Sequence, residues 1–215
     1  MKKLLCLVLS LMMILSVAVV PTVAEATELK IPQGAEKIST LVKPNVKIEN
    51  IVSTLEIYYT ELYQTKSAWY IADADDLRIF SAVVNAGTTS VNDTSFQGKT
   101  IYLAADIDMK DVTDFKPIGY REGLTQDCTT YQRPRFKGIF DGQGFTIKNL
   151  KMTSSDGNVG LFGLIAAPVI IRDLTIDASC SFTYTGSSSA VVAAGSLAAW
   201  ACVDGTAPGV AMNAT

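Results

Sequence analysis

Asp106 and Asp108, which flank Ile107, are the first residues whose type and spacing suggest chemistry. Residues two apart on a strand share a face, so this pair could hold calcium or divide acid and base work. Calcium takes about 6–8 oxygen ligands, and the sequence places no second acidic cluster beside the pair. The competing role is structural, each carboxylate accepting nearby backbone N–H groups at a strand end. Asp73, Asp75 and Asp76 begin like a calcium-binding loop. The glycine such a loop needs is replaced by Arg78, and its closing glutamate by Val84. These aspartates suit a helix start better, with Asp73 as N-cap and Asp75 and Asp76 at the positive end of the dipole. Asp141-Gly142-Gln143-Gly144 matches neither the P-loop nor the dinucleotide-binding spacing and reads as a tight turn.

The residue types that are missing narrow the chemistry further. The chain has no histidine, which excludes Ser-His-Asp and Cys-His catalysis and the His-Glu-x-x-His zinc motif. Cys128, Cys180 and Cys202 remain once an N-terminal signal carrying Cys6 is removed. An odd, sparse set does not predict a disulfide framework, and no four-ligand zinc spacing exists. The expectation is therefore no catalytic, cofactor-binding or metal-binding residue. Arg133, Arg135, Lys137, Arg172 and Asp173 are of types that a polysaccharide lyase uses, but no spacing relates them. Tyr120, Tyr131 and Tyr184 could stack on sugar rings, and packing against neighbours is the plainer role.

Residues 1–26 read as a cleavable secretory signal. Lys2 and Lys3 precede an uncharged apolar run from Leu4 to Val20. Pro21 ends the run, and Ala24-Glu25-Ala26 offers the small-x-small cleavage pattern. The alternative is a membrane anchor of minimal length. Cleavage would leave 189 residues, enough for one domain, with 16 basic and 20 acidic residues and a net charge of −4. A mildly acidic chain is a poor partner for nucleic acid. The expected location is outside the cell, secreted or on its surface, with no membrane span after cleavage.

Residues 27–66 read as a leader. Its apolar positions Ile51, Val52, Leu55, Tyr58, Tyr59 and Leu62 fit a helix, while Leu55, Ile57 and Tyr59 also fit a strand. Trp69-Tyr70-Ile71 predicts a strand. A three-turn helix follows, with Leu77, Phe80 and Val84 on one face and Gly87 past its end. Beyond residue 98 the pattern is β: Thr100 to Leu103 continuing to Met109, then Phe136 to Phe140, then Phe145 to Met152 as one strand. Residues 120–135 form a polar loop.

An internal echo suggests how the strands are arranged. Ile147, Asn149, Leu150 and Met152 match Ile171, Asp173, Leu174 and Ile176, each pair 24 residues apart. Gly160-Leu161-Phe162-Gly163 lies between the copies, and Gly195-Ser196-Leu197-Ala198 repeats it loosely. A period of this length with β-forming residues predicts a parallel β-solenoid, whose inward ladders would stack Ile147 on Ile171 and Leu150 on Leu174. A leucine-rich repeat has a similar period, but its Leu-x-x-Leu-x-Leu series is missing.

The same residues carry a resemblance. Trp69, Ile71, Asp76-Leu77, Phe80, Val84-Asn85 and Gly87 are followed by Ile101, Leu103, Asp106-Ile107-Asp108, Phe115 and Pro117-Ile118-Gly119. Phe136, Gly138, Phe140-Asp141-Gly142, Gly144, Thr146-Ile147, Asn149-Leu150 and Val159 to Gly163 complete the pattern. Over residues 67–199 the chain resembles bacterial surface proteins with GLUG-motif repeats. The resemblance implies a right-handed parallel β-helix with one short helix near its N-terminal end, spanning residues 67–215. It also implies that Asp106-Ile107-Asp108 belongs to the fold pattern. It makes a non-enzymatic scaffold or adhesin that binds a glycan or a protein the leading expectation. The N-terminal, non-catalytic part of a carbohydrate-active enzyme or surface peptidase is the alternative. Few repeats and a weakly patterned end near Thr215, with no Leu-Pro-x-Thr-Gly signal, suggest a piece of a longer protein. Its last turn, near Val191, Val192 and Leu197, would then self-associate.

Overall fold

The computed structural model describes residues 31–42, 47, 63–87, 93–120, 134–155, 158–186, 193–202 and 210–214. The signal segment, nearly all of the leader's apolar stretch, Cys128, Tyr131, Arg133, Val191 and Val192 lie outside the described residues.

The described chain is mainly β, with a large parallel sheet and little helix. Strand β1 is Glu36–Lys37, followed by a 3-10 turn at Ile38–Leu41. β2 (Ala68–Ile71) leads into helix α1 (Ala74–Asn85). β3 (Thr100–Leu103), β4 (Ile107–Asp108), β5 (Ile139–Asp141), β6 (Thr146–Lys148) and β7 (Lys151–Ser154) come next. β8 (Phe162–Ala166), β9 (Val169–Ile176), β10 (Ser181–Tyr184), β11 (Ala198–Cys202) and β12 (Val210–Ala214) complete the order.

Helix α1 forms where its caps dictate. The Asp73 carboxylate accepts from the Asp76 N–H at 2.9 Å, and Gly87 just past the end takes a φ of +79°. Leu77, Phe80, Val83 and Val84 are buried against the sheets. Lys37 reaches over from β1 to pair with Asp73 at 3.0 Å and Asp76 at 3.3 Å. Burial acts to raise the Asp73 carboxyl pKa, but the Asp76 N–H and Lys37 hold it below the ordinary value.

Every ladder between named strands is parallel. In the large sheet Trp69 faces Ile101, Ile101 faces Phe140, and Phe140 faces Ile171. All four are buried, because period-two alternation turns every second residue inward. The rings of Tyr63, Trp69, Phe80, Phe96, Phe136, Phe140 and Phe162 join into one core, with successive centroids 5.1–6.5 Å apart.

The register departs from the 24-residue echo. Ile147 lies opposite Ile176, not Ile171, and Ile171 lies between Phe140 and Met212. The echo instead marks two different bends of the same local type. Asn149 (φ +60°) separates β6 from β7, so Phe145 to Met152 is not one strand; Asp173 (φ +51°) bends β9 so that its two halves join different ladders. Asn and Asp are the L-residues that tolerate this conformation best. A buried leucine, Leu150 or Leu174, follows each bend. Similarly, β3 does not run on to Met109, and β4 begins a new ladder with β6.

The Gly-Leu-Phe-Gly segment has a packing cause. A Cβ on Gly160 would come within 2.5 Å of the Gly195 carbonyl oxygen, and one on Gly163 within 2.8 Å of the Gly119 oxygen. Pro117-Ile118-Gly119 is the neighbour of Leu161-Phe162-Gly163 through the Ile118–Phe162 bridge. Gly195-Ser196-Leu197 receives the same segment on its other side, through bonds from Leu161 N–H and Phe162 N–H.

Leu150 is fully buried whereas Lys148 is half-buried on the surface. Leu150→Ala is expected to cost about 2–5 kcal/mol in a urea melt, and Lys148→Ala under about 0.5 kcal/mol. Equal losses would contradict the inward placement of Leu150.

Candidate functional site

The acidic residues singled out from the sequence are absorbed by the fold. Asp106 accepts from the Thr146 N–H at 2.9 Å. Asp108 accepts from the Asn149 side chain at 2.8 Å and the Lys110 N–H at 3.1 Å, and the Asn149 bond leads in holding its pKa below the ordinary value. Both carboxylates thus tie neighbouring strands together. Asp141 is buried, accepts from the Gln143 N–H, and takes two bonds from the Arg172 guanidinium at 2.9 and 2.7 Å. Asp173 forms the bend in β9, and Arg135 is buried. Among the described residues no group of three or more Cys, Asp and Glu could hold a metal ion. No described helix is long and apolar enough to cross a membrane.

Of the three tyrosines considered, only Tyr120 lines the cleft described next. The Tyr184 hydroxyl is buried with no hydrogen-bond partner among the described residues, and Tyr131 lies outside them.

The cleft has a volume of about 160 Å³ and is assembled from segments distant in sequence. One wall is Phe115, Lys116, Pro117 and Tyr120; the other is Met152 to Ser155 with Asn158. Helix α1 holds the first wall by its last residue. The Asn85 side-chain oxygen accepts from the Gly119 N–H at 2.8 Å and the Tyr120 N–H at 2.7 Å, while its amide donates to the Pro117 carbonyl at 3.0 Å. Ser81 adds a bond to the Lys116 carbonyl at 2.6 Å. Asn158 is 2% exposed and fixed on the far wall by Trp200, whose indole N–H donates to its side-chain oxygen at 2.8 Å.

Comparison with protein-family models, curated proteins and solved structures returned no match.

The cleft's chemistry therefore has to be read from its own groups. Lys116 is exposed, with its ammonium 5.8 Å from the Tyr120 ring centroid. Thr153, Ser154 and Ser155 bring hydroxyls, and Phe115, Pro117 and Met152 bring apolar surface. None of the lining residues is acidic. With no histidine in the chain, the lining offers no carboxylate or imidazole to act as a general base. Donors, hydroxyls and two aromatic rings, Phe115 and Tyr120, make a lining of the kind that holds a small polar ligand.

Sequence reasoning found Tyr120 by type and missed Lys116, Asn158 and Asn85 as parts of a site. Asn85 and Pro117-Ile118-Gly119 both stand in the quoted motif, and their hydrogen bonds explain why they occur together. Asn158 had no signal, since its place beside Lys116 depends on the stacking of distant segments.

Asn85→Ala removes three bonds to the backbone of the Lys116–Tyr120 segment at once. The expected loss is roughly 2–4 kcal/mol by denaturant titration. A loss under about 0.5 kcal/mol, the size of an ordinary surface change, would show that the segment is held by other means.

Proposed function

We propose that this chain is a non-catalytic, exported β-solenoid module, of the kind the GLUG-motif resemblance implies, that binds a glycan or a protein at the cell surface or in the medium. The observation carrying the reading is the cleft itself: a pre-arranged lining of donors and hydroxyls with no acid–base pair, on a frame whose candidate carboxylates are spent on structure. The parallel ladders in chain order favour a stacked solenoid over an ordinary sheet, since each strand of the large sheet from β1 to β3, then β5, β9 and β12, pairs with the one before.

Export has separate support. Cys202 is disulfide-bonded and Cys180 is a free thiol. An odd, sparse cysteine set predicts no disulfide framework, and one bridge at Cys202 is not a framework. Stable disulfides belong to oxidising compartments outside the cytosol.

Expression of the whole chain with its signal tests both parts. The expected product is exported, begins at Thr27, and contains Cys202 oxidised and Cys180 alkylatable after unfolding. On glycan and protein arrays it binds a ligand, and polyuronide and peptide substrates are recovered intact. Retention of Met1 in a membrane-embedded product would overturn the export reading. Turnover abolished by Asp106→Asn or Asp108→Asn would overturn the non-catalytic one.

A further inference from the structure

We propose that the cleft between Lys116 and Asn158 is a subsite for a single acidic sugar, a hexuronic acid residue within a glycan. This rests on the binding-module reading above and names the ligand class for its site. Three features point there. Size comes first: clefts for drug-sized ligands span roughly 300–1,000 Å³, and about 160 Å³ suits one sugar ring. Charge comes second. The cleft presents the Lys116 ammonium and no carboxylate, and Lys116 takes no anionic partner among the described residues.

Third is the Asn158 amide. Its oxygen is engaged by Trp200, so its orientation is fixed, and its NH2 donates to no described group. A residue only 2% exposed that still lines the cleft offers those donors to an occupant. An ammonium and a fixed amide donor match a carboxylate, since charge-assisted hydrogen bonds are the strong ones. The hydroxyls of Ser154 and Ser155 match the sugar's own, and the Tyr120 ring offers a flat surface to the pyranose face.

The test uses the whole exported chain and calorimetric titration with trigalacturonate, its methyl ester, a neutral galactose trisaccharide and inorganic sulfate. Trigalacturonate is expected to bind at least about tenfold more tightly than the ester or the neutral trisaccharide, the scale of one charge-assisted bond. Lys116→Ala should lose about tenfold and Lys116→Arg much less. Asn158→Asp keeps the acceptor for Trp200 but replaces the donor with an anion, and should abolish binding while Lys116→Ala, at an exposed position, guards against a folding artefact. Equal binding of the ester and the acid, unchanged by Lys116→Ala, would overturn the acidic-sugar assignment and leave the binding module standing. Displacement of trigalacturonate by equimolar sulfate would reduce the cleft to a simple anion site and overturn it too. If none of these saccharides binds, the acidic-sugar assignment fails, while the binding-module reading stands or falls on the glycan and protein arrays.

Discussion

Gly119→Ala is expected to cost about 2–5 kcal/mol and to loosen the wall that carries Lys116 and Tyr120. Two penalties add. Gly119 has a φ of +81°, where an L-residue loses about 1–2 kcal/mol. The new methyl would also run into the Leu164 carbonyl oxygen, with the Leu164 nitrogen at 3.2 Å and the Arg135 Cα at 3.3 Å. All of these are backbone atoms of packed segments, so nothing swings aside, and overpacking of this kind costs about 1–3 kcal/mol. Gly144→Ala is the control. Gly144 has nearly the same φ, +82°, with open space around its missing Cβ, so only the conformational penalty of about 1–2 kcal/mol applies. Urea melts of the two variants measure the difference. Equal losses would mean that Gly119 and Leu164 are not in contact, and the register of Ile118 on Phe162 would fall with them.

Phe96→Ala should be as damaging for a different reason. Its ring is fully buried and meets Tyr63 at 5.1 Å, Phe80 at 5.2 Å, Trp69 at 5.7 Å and Phe136 at 6.5 Å between centroids. It joins the helix to the large sheet and to the segment at Phe136. Removing a buried phenylalanine costs about 3–5 kcal/mol, and edge-to-face pairs add about 0.5–1.5 kcal/mol each beyond burial. Against a typical total of about 5–15 kcal/mol, much of the fold's stability goes. Phe96 also sits at a φ of +58°, so Phe96→Gly relieves backbone strain while losing the same ring. The glycine variant is therefore expected to melt at a higher urea concentration than the alanine one, both well below the parent. Near-UV circular dichroism should lose intensity in both. A loss under about 1.5 kcal/mol for Phe96→Ala, half the expected minimum, would show that this aromatic cluster is not packed as described.

Tightly held elements were legible in the sequence because short-range physics specifies them. Asp73 and Gly87 bound helix α1, since a carboxylate satisfies free N–H groups at one end and a positive φ closes the other. The β-forming runs Trp69-Tyr70-Ile71 and Thr100-Ile101-Tyr102-Leu103 marked two strands. The structural role of Asp106 and Asp108 was also foreseen as one of two readings.

Register was not legible. The match between Ile147 and Ile171 reflects two bends that need the same local residues, an Asn or Asp at positive φ before a buried leucine. A sequence repeats whatever each bend requires, whether or not the bends stack. Stacking is chosen by long-range fit: where glycines let backbones approach, and which buried rings meet. The cleft shows the same division. Lys116, Asn158 and Trp200 have no common spacing, and only the superposition of three distant segments brings an ammonium, an amide and a fixed indole donor to one place. The sequence by itself determined that Leu77, Phe80 and Val84 share the inward helix face, that Ile147, Leu150, Ile171 and Leu174 turn inward, where the helix begins and ends, and that no histidine is available for catalysis. Tertiary structure alone decided which strand lies beside which, that Cys202 is oxidised while Cys180 is free, and where a ligand could sit. Local backbone preferences and solvent exclusion act on neighbours along the chain, whereas pairing, bridging and cleft formation depend on contacts between residues far apart in it.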